Sequence, residues 1–230
     1  RFCAYYGVAT EGNFEGGKSV LHIASTLENV SQSYGMTVEE LEKLLEEGRE
    51  KLHAEREQRV KPHRDEKILT SWNGLMISSF VDGFRVTGIE KYLQGAVEAA
   101  QFILQEMRKD GHLMRVFNKN KTQVKGYSED YAFIIQALVD LYETTFEMGW
   151  LKEADDLNQR MIHQFWDERK GGFFFSGMEN ESLFARSKNP YDNATPSANS
   201  IAVSNLIRLG YLTGEESLKQ KAEQILRLFH

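Results

Sequence analysis

Three acidic side chains, Glu129, Asp130 and Asp192, have the chemistry needed for proton transfer. Glu129 and Asp130 open an apolar stretch with helical spacing, and Asp192 lies in a polar segment before the next such stretch. Neighbouring residues on a helix do not face each other, so one of the two adjacent carboxylates can reach a cavity while the other braces a neighbour. Two carboxylates about 5–9.5 Å apart, on opposite sides of a glycosidic bond, can hydrolyse it. We therefore predict Glu129 or Asp130, opposite Asp192, as catalytic acid and base.

Side chains suited to binding a sugar occur in the same parts of the chain. Sugars present apolar ring faces that pack on aromatic rings, and hydroxyls that pair with amides, hydroxyls and charged groups. The predicted substrate-binding residues combine these types: Trp72, Asn73, Tyr131, Arg186, Lys188, Ser197 and Asn199. Trp72 can instead lie in the core, because the helix that follows it is apolar.

Several of these residues also have a purely structural explanation. Ser197 can cap a helix, and Asp130 can stabilise the positive end of a helix dipole without contacting a ligand. Arg186, Lys188 and Asp192 can form an ion-pair network that braces a long loop. The residue types leave both explanations open.

Other kinds of catalytic chemistry have little support in the chain. An isomerase of the sugar-epimerase type would use cavity-lining His residues, but the six His avoid the predicted helix starts, and only the loop residues His63 and His112 remain as alternatives. The spacing of His, Cys and acidic residues predicts no metal site, and we predict no cofactor. Cys3 is the single cysteine, so an internal disulfide and a C-x-x-C redox pair are excluded.

Charge and hydropathy narrow the possible partners and locations. The formal net charge of -6 argues against nucleic-acid binding, which requires a dense cationic surface. The chain contains no apolar run long enough to span a bilayer and no signal-peptide pattern at its start, so we predict no membrane partner. A single cysteine is typical of a reducing compartment, and we expect a cytoplasmic protein.

An internal repeat predicts how the candidate residues are positioned. Three quartets each open an apolar helix and align with one another: Trp72 to Leu75, Glu129 to Ala132, and Ala198 to Ile201. A more amphipathic helix follows each one, over Glu90 to Lys109, Leu151 to Trp166, and Glu215 to Phe229. The apolar helices are predicted to form an inner layer and the amphipathic helices an outer layer. The starts of the inner helices, with their free N–H groups, would then meet at one mouth of a central cavity.

Short β-hairpins are predicted after the first two helix pairs. The first would pair Gly111 to Phe117 with Thr122 to Lys125, and the second would pair Gly171 to Ser176 with Ser182 to Ala185. The fold class is therefore mainly α: an incomplete (α/α) toroid of helical hairpins with short β-hairpins in the loops.

The first part of the chain contains two further elements. Thr37 followed by Glu40 is a capping box, which predicts the start of a charged helix over Val38 to Arg59. The GNFEGG sequence, Gly12 to Gly17, lacks the spacing of a phosphate-binding loop and predicts an extended loop or hairpin. With three Pro and no low-complexity tract, the chain shows no linker. Residues 1–230 are accordingly predicted to be part of one (α/α)6-barrel-like domain.

Five motifs in order resemble those of a known family. They are YYGVATEGNFEGGKSVLHIA, DEKILTSWNGLMI, GYSEDYAF, GGFFFS and RSKNPYDNATPSANS. They are similar to the helical part of thioredoxin-domain-containing proteins related to spermatogenesis-associated protein 20. One departure is Ala198, where the family is expected to have Gly.

The resemblance implies a barrel similar to six-hairpin glycosidases and N-acylglucosamine 2-epimerases, preceded in the parent protein by a thioredoxin-like domain that this chain lacks. It implies a carbohydrate-processing domain, hydrolase-like or isomerase-like, with a carbohydrate ligand. The alternative is a non-catalytic sugar- or protein-binding scaffold that serves the thioredoxin-like domain. Fold resemblance alone does not choose between them.

Overall fold

The structure is a computed structural model that describes residues 1–181 and 184–229. It divides into two compact units, Arg1–Asp65 and Glu66–His230. Both units are predominantly helical.

The smaller unit is built on one long charged helix. Its helices are α1 (Phe2–Tyr5), α2 (Leu27–Tyr34) and α3 (Val38–Glu57). The capping box predicted at α3 is present: the Thr37 N–H donates to Glu40 Oε2 at 2.9 Å, and the Glu40 N–H donates to Thr37 Oγ1 at 3.1 Å. The GNFEGG segment forms a short 3-10 turn over Glu15–Gly17, closed by a bridge between Phe14 and Lys18.

The larger unit contains three successive helical hairpins. They are α4 (Thr70–Thr87) with α5 (Glu90–Glu106), α6 (Ser128–Thr145) with α7 (Met148–Phe165), and α8 (Ala198–Thr213) with α9 (Glu216–Phe229). Helices α4, α6 and α8 pack side by side, and each packs against the helix that follows it. The predicted inner and outer layers, and the mainly α fold class, are confirmed.

Helix α6 is the centre of this unit, and twelve of its eighteen residues are buried. Two close contacts connect it to its inner neighbours. Gly74 of α4 lies directly against the backbone of Phe133, and the buried Asn205 of α8 donates from Nδ2 to the Ala132 carbonyl at 2.8 Å. Small or polar residues at these two positions therefore allow the inner helices to approach closely.

Charged residues join the inner helices near their C-terminal ends. Arg208 of α8 lies 2.7 Å from Asp140 and 2.9 Å from Glu143 of α6. Arg85 of α4 donates to the Asp140 carbonyl at 2.9 Å. These contacts fix the end of the layer opposite the helix starts.

One four-stranded sheet is formed by residues on both sides of the first helical hairpin, because β1 precedes α4 and the other three strands follow α5. Its strands are β1 (Ile68–Leu69), β2 (Arg108–Lys109), β3 (His112–Asn118) and β4 (Lys121–Lys125). Strand β3 pairs antiparallel with each of the other three, and its pairing with β4 is the first predicted β-hairpin.

The second predicted β-hairpin has a different arrangement. Phe173 forms its bridge with Trp166 at the end of α7, and the Phe175 N–H donates to the Ser187 carbonyl at 2.7 Å. The return strand was predicted over 182–185, and positions 182 and 183 lie outside the described residues. In the part of the chain that the structure describes, no helix is both long enough and apolar enough to cross a membrane.

Candidate functional site

A cleft of about 140 Å³ lies where the starts of two inner helices meet. The start of α6 contributes Ser128 and Glu129, and the start of α8 contributes Ala198 and Asn199. The remaining lining residues are Phe173, Phe175, Asn189, Tyr191, Asn193, Thr195, Pro196 and Ser197. Three aromatic rings, several amides and hydroxyls, and one carboxylate therefore surround a single space.

Glu129 is the carboxylate of this cleft. Its side chain is 22% exposed, and its Oε1 accepts a hydrogen bond from Arg115 Nη1 at 2.8 Å. The Arg115 guanidinium also lies 4.9 Å from the centre of the Tyr127 ring, which stacks on Phe175. Arg115 therefore holds Glu129 at the cleft while leaving part of its carboxylate accessible.

Asp130, unlike Glu129, does not line the cleft and is fully buried. Its Oδ1 accepts from the Ser71 N–H of α4 at 3.0 Å. Its Oδ2 accepts from the Tyr127 N–H at 2.8 Å and from Arg115 Nη1 at 3.0 Å. The carboxylate thus joins the starts of α4 and α6 to strand β3, so the structure gives Asp130 a bracing position.

The environment of Asp130 shifts its acidity. Burial raises the pKa of Asp130 from 3.8 to about 6, although the positive charge of Arg115 and the N–H groups of Tyr127 and Ser71 act in the opposite direction. An acid with a higher pKa in the folded state than in the unfolded state binds more protons when folded, over the interval between the two values.

This shift predicts a pH dependence of stability. As pH rises through the interval from 3.8 to about 6, the free energy of unfolding of the wild-type protein should fall relative to that of Asp130→Asn. Urea unfolding of both proteins across this interval measures the difference, and other titrating groups cancel because both proteins contain them. A difference that stays constant or grows with pH would contradict the predicted shift.

Asp192 is exposed and lies between two lining residues of the cleft, Tyr191 and Asn193, without lining the cleft itself. Its Oδ1 accepts from the Ser197 N–H at 2.7 Å and from the Ser200 hydroxyl at 3.1 Å. Ser197 itself caps α8, because its Oγ accepts from the Ser200 N–H at 3.0 Å. The predicted capping role of Ser197 is therefore present together with its position in the cleft wall.

Asn199 anchors the aromatic side of the cleft. Its buried amide pairs with both backbone groups of Phe173: Oδ1 accepts from the N–H at 2.8 Å, and Nδ2 donates to the carbonyl at 3.0 Å. A side chain with both groups committed in this way positions Phe173 rather than offering free donors to a ligand.

Arg186 and Lys188 do not line the cleft and contact other parts of the chain instead. Arg186 donates to the Ser176 carbonyl at 2.6 and 2.8 Å and to the Gln164 carbonyl at 3.0 Å. Lys188 pairs with Asp167 at 2.7 Å. Asp192 takes no part in these contacts, and Arg186 is held by carbonyls, so these three residues do not form the predicted ion-pair network with one another.

The three remaining candidates also occupy separate positions. Trp72 is 63% exposed on the first turn of α4, so it lies outside the core. Asn73 donates to the Leu69 carbonyl at 2.8 Å. Tyr131 is buried; its hydroxyl accepts from the Leu113 N–H at 3.1 Å, so the structure places it in the core instead of in the cleft.

Sequence reasoning missed the cleft-lining residues Phe173 and Phe175, and the cation that holds Glu129 there, Arg115. Arg115 was treated only as part of a strand, although alternation along β3 places it on the same side as Leu113 and Phe117. Phe173 and Phe175 were treated only as strand residues. Their alternating positions in the FFF run were the available signal for one shared face.

The sequence of the chain matches the family model of glycosyl hydrolase family 76 over residues 51–228. The chain belongs to this family. Among curated proteins, rat spermatogenesis-associated protein 20 is 36% identical over 98% of the chain. The resemblance to relatives of that protein is therefore confirmed. The chain spans 31% of the rat protein's length.

Solved structures show the same fold as this family member. An α-mannanase of family 76 from Bacteroides thetaiotaomicron superposes with a TM-score of 0.60 at 14% identity, covering 74% of this chain and 46% of the mannanase. Cellobiose 2-epimerase from Spirochaeta thermophila gives a TM-score of 0.57 at 17% identity, covering 71% of this chain and 43% of the epimerase. The expected six-hairpin glycosidase-like fold is confirmed.

Proposed function

We propose that this domain hydrolyses a glycosidic bond at the cleft between the starts of α6 and α8. One observation carries the proposal: a partly accessible carboxylate, Glu129, shares a small space with aromatic rings, amides and hydroxyls. Such a mixture suits a sugar, because the ring faces pack on aromatic side chains while the hydroxyls find polar partners. Membership of glycosyl hydrolase family 76 supports the same reaction class.

In this proposal Glu129, which lines the cleft, and Asp192, which lies beside it, transfer the protons. Glu129 projects from the α6 side, and Asp192 is held by Ser197 and Ser200 on the α8 side. Asp130 acts through other residues: by fixing Arg115 and the start of α6, it positions Glu129. The volume of about 140 Å³ is smaller than the roughly 300–1,000 Å³ of pockets that enclose a whole small ligand. The cleft would therefore take one end of a glycan.

The second candidate function is a carbohydrate-binding scaffold without turnover. It is favoured by the committed hydrogen bonds of Asn199 and Ser197, which are structural as they stand. The thioredoxin-like domain of the parent protein, which such a scaffold would serve, and a cytoplasmic location both remain predictions. The chain's 31% share of the rat relative's length is compatible with further domains.

Substitution of Glu129 distinguishes the two functions. The full-length protein is assayed against manno-oligosaccharides first, since one structural neighbour is an α-mannanase. Loss of a proton-transferring group lowers turnover by about 10²–10⁴-fold. Glu129→Gln is therefore expected to lower kcat by this amount and to preserve most of the saccharide-dependent rise in melting temperature.

A matched control is Glu143→Gln, which removes a carboxylate at the far end of the same helix. It should leave kcat unchanged. Saccharide binding by the wild-type protein without turnover would support the scaffold instead. Equal kcat values for Glu129→Gln and the wild-type protein would refute the catalytic role of Glu129.

A further inference from the structure

A second cavity in the larger unit is surrounded mainly by positive charge. It has a volume of about 490 Å³. Its lining consists of Asp167, Arg169, Lys170, Phe174, Arg186 and Lys188. Four cationic side chains and one carboxylate give it a formal charge of +3, although the chain as a whole carries -6.

The loop after α7 places two of these cations. Asp167 organises the loop: its Oδ1 accepts the N–H groups of Arg169 and Lys170 at 2.9 and 3.2 Å. Its backbone pairs with Gly171 at 2.8 Å and with Gly172 at 2.9 Å. Both glycines have φ near +75°, a conformation that other residues rarely adopt, so the loop has one tight shape.

The other two cations are fixed by the opposite wall. Arg186 is held by the backbone carbonyls of Ser176 and Gln164, and its guanidinium lies 4.3 Å from the centre of the Phe174 ring. Lys188 donates to the Gly171 carbonyl at 2.6 Å and lies 4.9 Å from the same ring. Their positions are therefore set before any ligand arrives, which lowers the entropic cost of binding.

The positive charge of the cavity is only partly compensated. Asp167 pairs with Lys188, and this contact lowers the pKa of Asp167 to about 2, so the carboxylate stays ionised. Among the residues that the structure describes, no carboxylate lies within 4.0 Å of the side-chain nitrogens of Arg169, Lys170 or Arg186. Like charges held in one cavity repel each other, and a bound anion would remove that cost.

This cavity is separate from the cleft that contains Glu129. The side chains of the segment between them alternate in direction: Phe173 and Phe175 line the cleft, whereas Phe174 lines the cavity. A ligand in the cavity would therefore contact the opposite side of the same segment.

We infer that this cavity binds a phosphate group, either as free phosphate or as part of a phosphorylated sugar. A phosphate carries up to two negative charges on several oxygens, which matches a local charge of +3 and several separate cationic donors better than a single carboxylate does. Arg169 adds the planar fork that pairs with two phosphate oxygens at once, whereas Arg186 uses its Nε and Nη2 to contact backbone carbonyls and contributes mainly its charge.

The test uses the double variant Arg169→Gln and Lys170→Gln in the full-length protein. These side chains are exposed and make none of the contacts that hold the loop, so the variant should fold. Melting temperature and calorimetric binding are measured with inorganic phosphate and with glucose 6-phosphate at constant ionic strength. We expect saturable binding by the wild-type protein and an affinity at least about tenfold lower in the double variant, because two charge-assisted contacts are lost.

The control removes the same charge elsewhere, with Lys91→Gln and Lys152→Gln on exposed positions of α5 and α7. It should bind phosphate as the wild-type protein does. Tighter binding of glucose 6-phosphate would identify a phosphorylated sugar as the ligand class, and equal binding would identify free phosphate. Absence of saturable binding by the wild-type protein, or an equal loss in the control, would overturn the inference.

Discussion

Replacing Asp130 by Asn is expected to lower the free energy of unfolding by about 1–3 kcal/mol, the usual cost of leaving a buried hydrogen-bonding group without its partner. The carboxylate is fully buried and accepts hydrogen bonds from Ser71, Tyr127 and Arg115. An amide of the same shape has one acceptor oxygen, so at least one donor faces an NH₂ group whichever way the amide is oriented. Urea unfolding at neutral pH measures the loss.

Glu129→Gln is the matched control for Asp130→Asn. It makes the same change of charge at the preceding residue. That side chain is 22% exposed, and the substitution weakens its ion pair with Arg115. A part-exposed ion pair contributes about 0–1 kcal/mol. If the two variants lost the same free energy, the bracing position of Asp130 would not explain its stabilising effect.

Replacing Gly74 by Ala is the second large expected effect, a loss of about 1–3 kcal/mol from overpacking. A Cβ built on Gly74 would lie 2.7 Å from the Phe133 carbonyl carbon and 2.9 Å from its oxygen. Because these atoms belong to the backbone of α6, the helices α4 and α6 must move apart to accept a methyl group. Thermal and urea unfolding of the variant measure the cost.

Gly149→Ala provides the control for that substitution. Gly149 is also helical, in α7, and a Cβ there would meet no atom within 4 Å. Alanine is the better helix former by up to about 1 kcal/mol, so this variant should be unchanged or slightly more stable. A similar loss in both variants would show that close packing is not the cause.

The local sequence was sufficient to predict the helices and their caps. Apolar spacing identified the three inner helices, and the pairing of Thr37 with Glu40 identified the start of α3. These signals are readable because capping and amphipathic patterns involve residues a few positions apart. The second β-hairpin was harder, because the partner of Phe173 is Trp166 and a short bridge has no such local pattern.

The candidate site, like the fold, was predicted from the sequence only in part. From residue types alone, Glu129 and Asp130 were equivalent, and only the statement that one of them would brace a neighbour followed from helix geometry. The tertiary structure decided which one, because Ser71 and Arg115 reach Asp130 from distant parts of the chain. It likewise turned Arg186 and Lys188 away from the cleft and gathered them with Arg169 and Lys170.

The sequence by itself therefore determined the helices, their starts and the set of polar residues near them, since each of these depends on short-range periodicity, and the internal repeat indicated the toroid. The tertiary structure alone decided which side chains are accessible. Burial and pairing depend on residues that are far apart in the chain, such as Asn199 with Phe173 and Gly74 with Phe133, and no local pattern specifies those partners.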